Sequence, residues 1–262
     1  MNGIVSELFP AGVGGTAAVV RPRTRKSAPA PAPQKRSHGK CFACELLFAE
    51  VAPKQRAEFD AMIHDHDFGH NKVIHRDMAP ADAVYFIQKG AVKLLKPGFG
   101  GKQRIVRVLK PGDVIGIESI FSDAYEHSAI TLGDVTACSV PADWFRDFAA
   151  GSGRTQMWLL QKSLAALKEV ETWLSQFSAG SIPVDVRMAR LMLHLRAEDG
   201  YHIHRLSLKE MGDIVGLVPE SVCRVISEFD RKGVVVRDAG GSVFSRRYYR
   251  GNIPALEKIA QE

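Results

Sequence analysis

Several things are scarce or missing in this chain, and each absence narrows its role. No apolar run among its 262 residues reaches the roughly 18 needed to cross a membrane, so no membrane association is expected. The N-terminus has no long apolar stretch after a basic start, and no secretory signal is expected. Four cysteines do not make a disulfide scaffold in a chain of this size. In a cytoplasmic protein, the compartment expected here, their uses are metal binding, redox sensing or packing. No glycine-rich phosphate loop, nucleophile elbow or paired-carboxylate site stands out, so the chain is not expected to be an enzyme.

The chain does have enough apolar content to fold and a surplus of cations. Hydrophobic residues make up 45%, and the length suffices for two domains and a tail. The net charge of +6 suits a polyanionic partner, and double-stranded DNA is the one expected. Part of the surplus lies in residues 1–39. Their segment RPRTRKSAPAPAPQKR, rich in Pro, Ala and cations, has no periodic apolar pattern and predicts a disordered tail.

The most informative stretch is LSLKEMGDIVGLVPESVCRVISEFDRKG at 206–233. Ser207 and Glu210 form a capping-box pattern at the start of a short helix over 207–215. Gly216 offers the left-handed conformation that ends a helix. Pro219 suits the first turn of a second helix, where its missing N–H has no partner anyway. That helix spans about 219–232 and repeats Val222, Val225, Ile226 and Phe229 at helical spacing on one face. Its other face carries Glu220, Ser221, Cys223 and Arg224 near the N-terminal end, the end a recognition helix puts into a major groove. An Arg there can donate two hydrogen bonds to guanine, and a Glu can accept from cytosine. The plain alternative is a helical hairpin with a solvated Glu and Arg. A strand at 234–236, a glycine turn at 238–241 and a return strand at 243–249 then predict a wing, with Arg246, Arg247 and Arg250 placed for phosphate contacts.

Upstream, PKQRAEFDAMI at 53–63 reads as an amphipathic helix. Between Lys72 and Pro141 the pattern becomes short strands with glycine turns, which predicts a small antiparallel jelly-roll or barrel. A short helix ADWFRDF follows, then a long helix over 154–177. Its Met157, Leu160, Leu164, Leu167 and Leu174 repeat at alternating spacings of three and four, interrupted by Glu171, as in a coiled-coil seam. The seam predicts a homodimer, whose two-fold axis would match two DNA half-sites. SAGSIP breaks this helix and predicts a hinge.

An N-terminal β-roll, a long dimer helix and a C-terminal winged helix-turn-helix are the architecture of the CRP/FNR superfamily of bacterial transcription regulators, which this chain resembles from about Cys41 to the end. KPGDVIG at 110–116, the leucine seam and GDIVGLVPESVCRVISEF at 212–229 carry the resemblance. It implies an α+β chain in four parts: a tail at 1–39, a sensor β-roll at 40–150, a dimerisation helix and hinge at 151–180, and a winged helix-turn-helix at 181–262. It also implies RNA polymerase as a partner. In the CRP branch a Gly-Glu pair holds the ribose of a cyclic nucleotide and an Arg-Ser pair its phosphate. The matching positions here are Gly116-Ile117 and His127-Ser128, so no cyclic nucleotide is expected, although Glu118 stands one residue out of register. The FNR branch reads DNA through Glu-x-x-Ser-Arg. Glu220 and Arg224 keep that pattern with Cys223 in place of Ser, which implies a TTGA-type palindrome. A thiol hydrogen-bonds more weakly than a hydroxyl, and its oxidation would add bulk and charge at the DNA surface.

The FNR type senses oxygen with an iron–sulfur cluster on four cysteines, and this chain resembles it most closely at Cys41, Cys44 and Cys138. A fourth cysteine ligand is missing; His38, Glu45 or Glu50 is near enough in sequence to complete the set. The same residues serve a dithiol switch at Cys41 and Cys44, and a buried Cys138 with two incidental neighbours is the plain alternative. The signal expected is oxygen or redox state, possible additionally at Cys223, with a small-molecule signal (cyclic nucleotide or a haem ligand) as the alternative. His64, His66, His70 and His75 are irregularly spaced among acidic residues, and a solvated loop is expected there rather than a haem site.

Overall fold

The computed structural model describes residues 61–98, 103–177, 182–236 and 247–261. The expectations for residues 1–60, the turn at 238–241 and Arg246 lie outside these residues. That set includes His38, Cys41, Cys44, Glu45 and Glu50.

Eight strands follow one another: β1 (His64–Phe68), β2 (Val73–His75), β3 (Ala83–Lys89), β4 (Val92–Pro97), β5 (Gln103–Leu109), β6 (Val114–Ile115), β7 (Ser128–Thr131) and β8 (Val135–Pro141). They pair antiparallel into two four-stranded sheets, ordered β1-β8-β3-β6 and β2-β7-β4-β5. The turn chemistry read from the sequence has a steric basis. Gly90, between β3 and β4, has φ 84°, and a Cβ there would sit 2.3 Å from the Asp134 carbonyl oxygen. Only glycine lets the β3–β4 turn lie this close to the β7–β8 turn.

The period-2 alternation of β4 sorts its side chains into two destinations. Val92 and Leu94 join Phe68, Ile87, Leu109, Ile115 and Val135 in the core of the roll. Lys93 and Leu95 share the other face and point toward the C-terminal part of the chain. β4 is therefore covered on both faces.

Three histidines of the histidine-rich stretch lie in strands, and His70 alone stands in an exposed turn as a loop residue would. His64 and His66 lie in β1, paired to β8, and His75 closes β2. The backbone there is committed to ladder hydrogen bonds, and Asp65 and Phe68 are buried. His66 Nε2 is 2.8 Å from Ser139 Oγ, His70 Nδ1 is 2.7 Å from the Leu132 carbonyl, and His75 stacks on Tyr125. Each serves a different neighbour.

Helix α1 (Ala142–Gly151) leads through Ser152 into α2 (Gly153–Phe177). The Ser152 hydroxyl accepts the Thr155 N–H at 3.0 Å, capping the long helix. Trp158 packs with Phe86 and Phe145 on the roll, while Trp173 and Phe177 pack into the C-terminal core. Each such aromatic contributes about 2–3 kcal/mol by burial. The opposite face shows Met157, Leu160, Leu164, Leu167 and Leu174, all exposed. Among the described residues the helix thus uses one face at home and leaves the apolar seam uncovered. Among the described residues, no helix is long and apolar enough to cross a membrane.

The C-terminal part contains α3 (Val184–His194), β9 (His202–His204), α4 (Leu208–Val215), α5 (Pro219–Arg231), β10 (Val235–Val236), β11 (Tyr248–Gly251) and α6 (Ile253–Gln261). The wing is a three-stranded sheet in the order β10-β11-β9, so a strand from before the helix-turn-helix completes it. One apolar cluster joins Leu95, Ile105, Val108 and Leu132 of the roll to Met192, Leu206, Met211 and Ile214. The roll and the winged domain are thereby packed on each other.

Candidate nucleic-acid interface

The interface begins with the cap of α4. Ser207 Oγ accepts the Glu210 N–H at 3.2 Å, and Glu210 Oε2 accepts the Ser207 N–H at 2.9 Å, the reciprocal box expected from the sequence. The other Glu210 oxygen takes Lys93 Nζ from β4 at 2.5 Å. Burial pushes the Glu210 carboxyl up, but Lys93 and the Ser207 donors outweigh it and hold the group below its usual range. A roll residue therefore anchors the carboxylate that caps the first helix of the motif.

Gly216 ends α4 with φ 71°, in the left-handed region. Gly212 permits the tight turn: a Cβ there would lie 2.4 Å from the Leu217 carbonyl oxygen. The buried Arg187 of α3 donates to the Val215 carbonyl, placing a cation at the carbonyl end of α4. Neither role was read from the sequence. A glycine inside a helix pattern is a recognisable sign of close approach. Nothing local ties Arg187 to a carbonyl 28 residues away.

In α5, Pro219 stands at the first turn and Val222, Ile226 and Phe229 are buried. Glu220 and Arg224 are exposed, with Ser221 and Cys223 half-buried beside them. The helix thus holds its expected recognition residues on one accessible face, one to two turns from its N-terminus. Arg250 is exposed on β11. Arg247 is different: its Nη1 lies 2.5 Å from Asp134 Oδ2 in the β7–β8 turn of the roll.

The remaining candidate residues are dispersed. Cys138 is fully buried among Val84, Phe86, Phe145 and Trp158. Such a position beside apolar side chains suits packing. Among the described residues, no three His, Cys, Asp or Glu side chains are grouped to hold a metal. Cys223 lies on α5, in the other domain from Cys138.

At the nucleotide-type positions, Glu118 Oε1 accepts the Glu126 N–H at 3.3 Å and lies 3.6 Å from His127 Nδ1. Ser128 Oγ accepts the Asp77 N–H at 3.0 Å. A nearby cleft of about 490 Å³ opens between the β4–β5 hairpin, α2 and α4, with Lys96, Arg104, Arg107, His127 and Trp173 on its walls. Glu169 of α2 pairs with Arg107 at 2.7 Å.

Comparison with known proteins gives a consistent pattern. Residues 66–152 match the family described as cyclic nucleotide-binding domain, and residues 186–246 match the Crp-like helix-turn-helix domain. A CRP-like cAMP-activated global transcriptional regulator of Mycobacterium tuberculosis is 25% identical over 71% of this chain and 86% of its own. The transcriptional activator protein anr of Pseudomonas aeruginosa is 23% identical over 62% of this chain and 68% of its own. The structure of FixK2 from Bradyrhizobium japonicum superposes with a TM-score of 0.61 at 22% identity, covering 75% of this chain and 96% of that one.

Proposed function

This chain belongs to the CRP/FNR family of transcription regulators and binds DNA, and we propose that it does so as a homodimer on a TTGA-type palindrome. The observation that carries the reading is the two-faced α5. One face is locked into the core by Val222, Ile226 and Phe229, and the other holds Glu220 and Arg224 in the open. In this reading Arg224 donates to guanine, Glu220 accepts from cytosine, and Ser221 and Cys223 line the contact. Arg246 and Arg247 of the wing approach phosphates. Met157, Leu160, Leu164, Leu167 and Leu174 meet their counterparts across the two-fold axis. RNA polymerase is the further partner, and the protein acts in the cytoplasm.

The signal is proposed to be oxygen or redox state acting on Cys41 and Cys44, with Cys223 oxidation as a direct block at the DNA surface. Cys138 belongs to the proposed sulfur set by resemblance, and its burial argues for the thiol switch over a cluster. A second reading, a small-molecule signal, is favoured by the cationic cleft beside α2. Cyclic nucleotide is the disfavoured occupant, since Glu118 and Ser128 already serve groups of this chain.

Anisotropy titration of the intact protein with a TTGA palindrome and a scrambled duplex tests the core of the reading. Tight binding to the first alone is expected, and equal affinity for both refutes it. Protein prepared without air, assayed for visible absorbance, iron and sulfide and then titrated on DNA before and after oxidation, separates the signals. DNA binding that ignores oxidation and tightens with a nucleotide removes the redox reading.

A further inference from the structure

The wing cation Arg247 already has a partner inside the chain. Its guanidinium meets Asp134 of the roll, while the Arg247 carbonyl accepts the Arg205 N–H at 2.9 Å, fixing the residue at the mouth of β11. The carboxylate is equally well placed. Behind the β7–β8 turn, the Asp134 carbonyl abuts Gly90, whose N–H donates to Glu198 of the winged domain at 2.8 Å. Beside it, Tyr248 Oη lies against Gly133, where a Cβ would be 3.0 Å away. Lys93–Glu210 and the shared apolar cluster hold the same two parts together. The pair is thus set by rigid neighbours on both sides, although Asp134 itself is 73% exposed and Arg247 21%.

We propose that Asp134 of the roll is a determinant of DNA affinity, competing with a DNA phosphate for the guanidinium of Arg247. The proposal rests on the reading above, in which the wing lies along the DNA backbone. A phosphate and a carboxylate ask the same thing of a guanidinium, two acceptor oxygens in its plane. While Asp134 holds Arg247, each subunit withholds one cation from the DNA. Specificity is untouched, since Glu220 and Arg224 lie elsewhere; what changes is the electrostatic, sequence-independent part of binding. Because Asp134 stands on the roll, any movement of the roll against the winged domain alters the supply of that cation. The sensor part is thereby linked to DNA affinity without touching the recognition helix.

The test is a double-mutant cycle on the full chain, read by anisotropy on a TTGA palindrome across a salt series. Asp134→Asn keeps a residue suited to the turn. It is expected to tighten binding by up to about fivefold per subunit, the scale of an exposed ion pair. It should also steepen the slope of log K against log salt by about 0.9 for each phosphate gained, about 2 for a dimer. In an Arg247→Gln background the same change should have little effect. Asp134→Ser, with a different side chain at the turn, should repeat the result. Affinity and slope equal to wild type in Asp134→Asn overturn the proposal. So does an equal gain in the Arg247→Gln background, which would mark a general loss of negative charge. A chain with no preference among duplexes fails at the reading of α5 instead, and that outcome is told apart by the scrambled duplex.

Discussion

Replacing Leu164 tests the dimer seam at its centre. The side chain is 57% exposed in one chain, within a row of five exposed apolar residues that none of the described residues covers. Full burial of a leucine is worth about 1.5–3 kcal/mol, so the exposed part is worth about 1–1.5 kcal/mol. In a two-fold dimer the position counts twice, giving about 2–3 kcal/mol. Leu164→Ala should therefore raise the dimer dissociation constant roughly 30- to 150-fold. Leu164→Glu, which places two like charges in the seam, should give a monomer at all working concentrations. The fold should not suffer, because Leu164 belongs to none of the three apolar clusters. Sedimentation velocity over a concentration series reads the change, and thermal unfolding at low concentration checks the fold. A wild-type chain that sediments as a monomer throughout refutes the reasoning, and so does a Leu164→Glu variant that remains dimeric.

Other outcomes follow from the same structure. Arg224→Ala should cost about 1–3 kcal/mol at one base pair of the half-site and relax preference there, read by competition with single-base variants. Lys93→Met should leave one oxygen of Glu210 without its cation and cost about 1–3 kcal/mol in urea unfolding. Gly212→Ala should destabilise the motif, since the new Cβ meets backbone, with circular dichroism melts as the readout. Burial pushes His75, His194 and His204 down to about 4 from 6.5. The unfolded chain thus takes protons below pH 6.5 that the folded chain refuses until about pH 4. Stability should be full above pH 6.5 and fall toward pH 4, by about 2 kcal/mol per histidine at pH 5. Urea midpoints at pH 7.5 and 5.0 check the sign.

The helix-turn-helix was legible because its signals are local. A capping box, a left-handed glycine, a proline at the first turn and a 3.6-residue apolar repeat each act within a few residues of backbone. The strands of the roll and the uncovered seam were legible for the same reason: period 2 and the three-four spacing report which face is apolar. The histidine stretch misled because its charged residues look like loop. Its place in β1 depends on β8, some 70 residues away, which the local pattern does not encode.

By itself, then, the sequence determined most of the elements, their order and the likeness to the CRP/FNR regulators, since each is written in neighbouring residues; β1, β9 and α6 were not among them. Only the tertiary structure decided what those elements meet. It put β9 into the wing, Lys93 on the cap of α4, Arg187 at its end and Asp134 on Arg247. Such pairings join residues distant in the chain, 28 positions for Arg187 and the Val215 carbonyl and more than a hundred for Lys93–Glu210 and Asp134–Arg247, and no local periodicity marks them.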